Sequence, residues 1–151
     1  MDLTIREAQA YDLEAIIRLH EEDSLGSHGD AWLPETKPAY EAAFAAIAAS
    51  PGNTLYVAES EGRVVGTFQL TFIPNLTSRG AMRVKVESVK VAAALRSQGL
   101  GARMMAFAEA EAGARGARSM ELTSNKRRTD AHRFYERLGF SKSHEGFKKS
   151  L

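Results

Sequence analysis

Six residues, Arg96-Ser97-Gln98-Gly99-Leu100-Gly101, read as Arg-x-x-Gly-x-Gly and stand directly before a run with helical spacing. Glycines at a helix start let the backbone approach a ligand closely, with free N–H groups at the positive end of the helix dipole. That combination suits phosphate or pyrophosphate. Two other phosphate patterns do not fit. The dinucleotide fingerprint G-x-G-x-x-G needs a third glycine where Met104 stands. The P-loop needs a Gly-Lys-Ser/Thr that the chain lacks. Arg96 and Arg103 either add charge to this loop or are solvated, and the basic run Lys126-Arg127-Arg128 offers the same choice. The chain has no cysteine, which excludes a thiol nucleophile, a disulfide framework and an iron–sulfur cluster. His20, His28, His132 and His144 show no ligand spacing, so no metal is expected.

The elements that must position this loop follow from hydrophobic periodicity. Residues 3–6 alternate like an edge strand, and residues 12–22 carry Leu13, Ile16, Ile17 and Leu19 at helical spacing. Residues 24–30 read as loop, and residues 38–49 as an alanine-rich helix with Pro38 in its first turn. Two strand-like runs, 54–59 and 63–72, flank a tight Glu61-Gly62 turn and predict a hairpin. A third strand is predicted over 81–91, a helix over 99–113 and a short strand over 120–123. A last helix over 129–138 stops at Gly139, with Ala131, Phe134, Tyr135 and Leu138 on one face, and a final strand is predicted over 140–148. The order β-α-α-β-β-β-α-β-α-β describes a mixed α/β fold.

The strand at 81–91 changes phase. Met82, Val84 and Val86 are apolar at even positions, but Val89 and Val91 are apolar at odd ones. Side chains of a regular strand alternate with period two, so one extra residue near 87–89, a β-bulge, is needed to keep a continuous apolar face. The alternative is burial of both faces. A bulge would splay the strand from its neighbour and leave backbone groups free for a ligand.

At 151 residues with 44% hydrophobic and 26% charged side chains, the chain suits one domain, 1–151, and argues against disorder. No signal peptide is read at the start and no run of about 20 apolar residues occurs, so a cytoplasmic location without membrane contact is expected. The net charge of +1 conceals an uneven distribution. Residues 1–80 carry 5 basic and 12 acidic groups, against 15 and 7 in residues 81–151. One half can attract anions and the other cations, unless the charges merely face solvent.

The stretch Val86-Glu87-Ser88-Val89-Lys90-Val91, followed by Arg96-Ser97-Gln98-Gly99-Leu100-Gly101, resembles the GNAT superfamily of acyl-CoA-dependent N-acetyltransferases. A second block, Ala131-His132-Arg133-Phe134-Tyr135-Glu136-Arg137-Leu138-Gly139-Phe140, is similar to that family's late helix and turn. The resemblance implies a mostly antiparallel sheet with a bulged central strand, flanked by helices. It implies acetyl-CoA as cosubstrate and an amine as acceptor, with direct transfer between them. The backbone of Val89, Lys90 and Val91 would pair with the pantetheine arm. Amides of Ser97, Gln98, Gly99, Leu100, Gly101 and Ala102 would cradle the pyrophosphate, with Arg96 and Arg103 adding charge. Asn125 would hold the pantetheine, although it stands ten residues before Tyr135 where many members have about seven. Phe134 would face the cofactor.

For catalysis, the resemblance implies the Val89 N–H as oxyanion donor and Tyr135 as general acid. Glu87 would be the base, directly or through a water; otherwise it pairs with Arg83 or Lys85 or faces solvent. Ser97 stands where members often have Gly, but its N–H serves equally.

The acceptor is not spelled out. Glu21-Glu22-Asp23, with Trp32 nearby, either draws in a cationic amine or is solvated, and segments 20–36 and 73–80 are expected to shape the pocket. A small-molecule amine is the favoured acceptor. A protein amine remains open, as does a non-catalytic acyl-CoA or nucleic-acid binding role; nucleic acid is not the expected partner, and a homodimer is left open.

Overall fold

The computed structural model describes residues 1–23 and 28–151. The chain builds one five-stranded sheet in the order β1-β2-β3-β4-β5. β1 (Thr4–Glu7) is the predicted edge strand. A 3-10 turn at Ala10–Asp12 leads into α1 (Leu13–Glu21), so the first helix starts in two stages. Asp12 closes that entry: its carboxylate accepts the Gln9 N–H at 2.7 Å and two bonds from Arg6 at 2.8 and 3.0 Å. The loop predicted over 24–30 falls partly outside the described residues.

α2 (Lys37–Ala48) carries its proline in the first turn. β2 (Asn53–Ser60) and β3 (Arg63–Ile73) form the predicted hairpin, with φ of 51° at Glu61 and 73° at Gly62. Both central residues on the left-handed side define the tight turn that matches strand twist. A single distorted turn, α3 (Thr77–Gly80), joins β3 to β4 (Arg83–Val91). After a second 3-10 turn at Ala93–Leu95 come α4 (Leu100–Ala114), β5 (Ser119–Glu121) and α5 (Thr129–Arg137). β1 to β4 are antiparallel, whereas β5 runs parallel to β4.

One sheet face holds the main core. Tyr56, Phe68, Leu70, Phe72, Val84 and Val86 are buried against Leu100, Met104, Met105, Ala108 and Ala112 of α4. On the other face, Ala8, Ile16 and Val57 pack with Phe44, Leu55 and Val64.

Two expectations need correction. Residues 140–148 form no strand: after Phe140 the chain runs on without regular pairing among the described residues. Its alternation is thin, and Phe147 is 94% exposed, so it has no apolar face to bury. Leu138 is exposed as well, because α5 ends at Arg137 and Leu138 already belongs to the turn that Gly139 (φ 97°) completes.

Candidate functional site

The bulge predicted from the parity change is present. Lys90 lies opposite Thr67 and Glu87 opposite Gln69, so Ser88 and Val89 together face the single residue Phe68. Ser88 has φ 55°, the left-handed conformation that takes up the extra residue. Beyond it Val89 and Val91 pack against the main core, which keeps the apolar face continuous.

On its other side β4 pairs with β5 only from Arg83 to Lys85. From the bulge onward β4 has no strand partner there among the described residues, so β4 and β5 form a wedge. The hydrogen-bond phase says which groups face it. The Ala92 N–H donates to Val65 O at 2.8 Å, so in antiparallel alternation Val91 turns its own N–H and C=O away from β3, into the wedge. Lys90 is in the opposite phase, with its backbone groups toward β3.

The glycine loop sits at the end of this wedge. Ser97 (φ 63°) and Gly99 (φ 82°) are both left-handed, and Gly99 caps α4. Two such residues in a four-residue loop curl the backbone so that successive amides converge, the concave arrangement that holds anions. Ser97, Gln98 and Gly99 are exposed, Leu100 anchors the first turn in the core, and Gly101 and Ala102 are half-buried. A side chain at Gly101 would meet Phe134 Cζ at 3.1 Å, so the absence of a Cβ lets α5 close against α4. Arg96 is held by its Nε–H to Val91 O at 3.4 Å, beside the wedge. Arg103 instead donates to the Met1 carbonyl at 2.8 Å.

Tyr135, on α5, packs partly buried against the main core, with its ring edge-on to Phe134 at 5.1 Å and Phe140 at 5.8 Å. Burial pushes its hydroxyl pKa up, partly offset by the positive charge of Arg128. Glu87, on the polar face, pairs with Lys85 at 3.1 Å, one of the alternatives that its position left open. Both side chains are partly exposed, at 31% for Lys85 and 40% for Glu87, so the pair is worth under about 1 kcal/mol and is readily exchanged. Asn125 is half committed: its Oδ1 accepts the Arg127 N–H at 2.9 Å, and its C=O accepts the Arg128 N–H at 3.0 Å, shaping the entry to α5.

The acidic triplet is tied into the chain. Glu21 accepts the Trp32 N–H at 2.5 Å, Glu22 accepts the Ala93 N–H at 2.9 Å, and Asp23 bonds Lys90 and Arg128. Sequence reasoning assigned Arg128 to a phosphate or to solvent and gave Lys90 only a backbone role; nothing local to either residue signals this shared partner. Among the described residues no cluster has metal-binding composition, and no helix is long and apolar enough to cross a membrane.

Residues 13–140 match the model of the Acetyltransferase (GNAT) family. An aminoalkylphosphonate N-acetyltransferase of Salmonella typhimurium is 35% identical over 113 residues, covering 75% of this chain and 73% of its own. The crystal structure of a transcriptional regulator from Bacillus halodurans superposes with a TM-score of 0.94 at 39% identity, covering 99% of this chain and all of its own. An aminoglycoside N-acetyltransferase in complex with CoA has a TM-score of 0.79 over 99% of this chain and 95% of its own; at 16% identity this is a likeness of fold.

Proposed function

The chain belongs to the GNAT acetyltransferase family, and from that premise we propose that it transfers the acetyl group of acetyl-CoA to the primary amine of a small molecule. The observation that carries the reading is the wedge: a bulged β4 with outward-facing Val91 amide and carbonyl, ending at the curled loop that opens α4. A groove of this shape takes an extended amide-bearing arm along the strand edge, as an added strand would bind, and a pyrophosphate on the loop amides of Ser97–Ala102. Arg96 lies where it adds charge. Arg103, with its Met1 contact, must turn to do so.

The chemistry assigned to the chain is direct. Glu87 accepts a proton from the acceptor ammonium, directly or through a water, exchanging Lys85 for the incoming amine. The free amine attacks the thioester carbonyl; the C–N bond forms as the Val89 N–H donates to the oxygen that gains charge. When the C–S bond breaks, the Tyr135 hydroxyl gives its proton to the departing sulfur, and the phenolate takes back the extra proton that the former amine nitrogen sheds as it becomes an amide, directly or through water. No thiol is available for a cysteinyl-enzyme intermediate.

A small-molecule acceptor is favoured by the relative named for aminoalkylphosphonates. The relative named as a transcriptional regulator favours a non-catalytic role as the second reading. Thiol release from acetyl-CoA, measured over a panel of small amines and peptides, tests both. We expect release with small amines and little with peptides. Absence of turnover with any amine, together with no CoA binding by calorimetry, would overturn the first reading; CoA binding without turnover would favour the second.

A further inference from the structure

Three charged side chains that take no part in the proposed transfer meet at the mouth of the wedge. Asp23, just past the end of α1, is 7% exposed, and its Oδ2 accepts from both Lys90 Nζ and an Arg128 guanidinium nitrogen. Lys90 and Arg128 are themselves largely covered, with 13% and 26% of their side chains exposed. They belong to separate elements. Lys90 lies between Val89 and Val91 on β4, and Arg128 immediately precedes α5, where its C=O accepts the His132 N–H at 3.0 Å.

A buried carboxylate shared by two cations is a poor device for stability alone, since well-packed apolar side chains would serve as well. What it supplies is a fixed distance. We propose that Asp23 is a positioning residue that clamps β4 to the start of α5, setting the width of the wedge so that the Val89 N–H and the Tyr135 hydroxyl stand on opposite sides of the same thioester. The inference rests on the acetyl-transfer reading. The charged groups around the clamp are consistent with it. Arg128 is the charge that acts on Tyr135, and His20, one turn back on α1, has its pKa pushed down by burial and by Lys90, against the pull of Asp30 and Asp23.

Asp23→Asn keeps the shape and removes the charge; Arg128→Gln releases the other end, and Arg128→Lys conserves it. A misplaced wall should cost roughly ten- to a hundredfold in kcat. We expect that loss in Asp23→Asn and in Arg128→Gln, no further loss in the double variant, and recovery of most of it in Arg128→Lys. A readout without turnover is the ultraviolet titration of Tyr135, taken by difference from Tyr135→Phe; its midpoint should move in Asp23→Asn. A lowered melting temperature with unchanged kcat and a superimposable titration would reduce Asp23 to a structural residue and overturn the proposal. If the parent protein turns over no amine and the titration still moves, the transfer reading falls and the clamp stands.

Discussion

Glu87 and Tyr135 owe their assigned roles to opposite surroundings. Tyr135 is half-buried beside Phe134 and Phe140, and that burial raises its pKa above the ordinary 10.0, so the phenol keeps its proton throughout the neutral range. Tyr135→Phe removes that proton and little else. Its kcat should fall about 10²- to 10⁴-fold, while CoA affinity by calorimetry stays within about twofold. Glu87 is partly exposed, and its ion pair among the described residues is with Lys85. Glu87→Gln should lower kcat/KM by about 10² near neutrality, and the deficit should shrink as pH rises toward the acceptor's own pKa, where the amine arrives already free. A pH–rate profile of both proteins checks this; a deficit that stays constant with pH would leave Glu87 without the role of base. The Lys85–Glu87 pair was legible because residues two apart on a strand share a face. The Asp23 clamp was not, because its partners lie 67 and 105 residues away and meet it only once sheet and helices are assembled.

At the scale of the element, β4 shows why some structure is readable and some is not. Its bulge leaves a mark on the alternation itself, since the parity must flip for Val89 and Val91 to reach the core that holds Val84 and Val86. Residues 140–148 leave a weaker mark: a few alternating positions imitate a strand, but no neighbour offers an edge long enough to use them, β5 having only three residues. The left-handed Ser88 supports a prediction at this scale. Relief of its backbone strain in Ser88→Gly should be worth roughly 1 kcal/mol, preserving CoA binding and raising the melting temperature slightly. Deletion of Ser88 should separate folding from binding. Without the extra residue, Val84, Val86, Val89 and Val91 alternate regularly on the core face, so the chain should still fold, but β4 loses its splay and CoA binding should be lost. Calorimetry and thermal melts on the two variants distinguish these outcomes; a deletion variant that binds CoA normally would show that the bulge does not shape the groove.

At the scale of the whole molecule, the uneven charge distribution looks different once partners are assigned. Many carboxylates of the acidic half are already in use: Asp12 and Glu59 on Arg6, Glu14 and Glu21 on Arg18, and Asp23 on Lys90 and Arg128. The Glu21-Glu22-Asp23 triplet therefore holds the fold together at the wedge, and its direct attraction for a cationic acceptor is correspondingly weaker. The same arrangement makes the protein sensitive to acid in two steps. His20 has a pKa below its ordinary 6.5, because burial and then Lys90 disfavour its charged form more than Asp30 and Asp23 favour it. Burial pushes Asp12 up, but bonds from Arg6 and the Gln9 N–H outweigh it, leaving its pKa below 3.8. For both groups the unfolded chain binds the proton more readily, so stability is fully present above the unfolded pKa and declines as pH falls toward the folded one. Thermal melts should show a plateau above about pH 7, a first decline beginning near pH 6.5, and a second, steeper one beginning near pH 4. His20→Gln should remove the first decline and leave the second, whereas Asp12→Asn should lower the whole curve and flatten its acid end. A parent curve that is level from pH 7 down to pH 5 would mean that His20 gains its proton as easily in the fold as outside it, and that the surroundings of Asp23 are wetter than their burial implies.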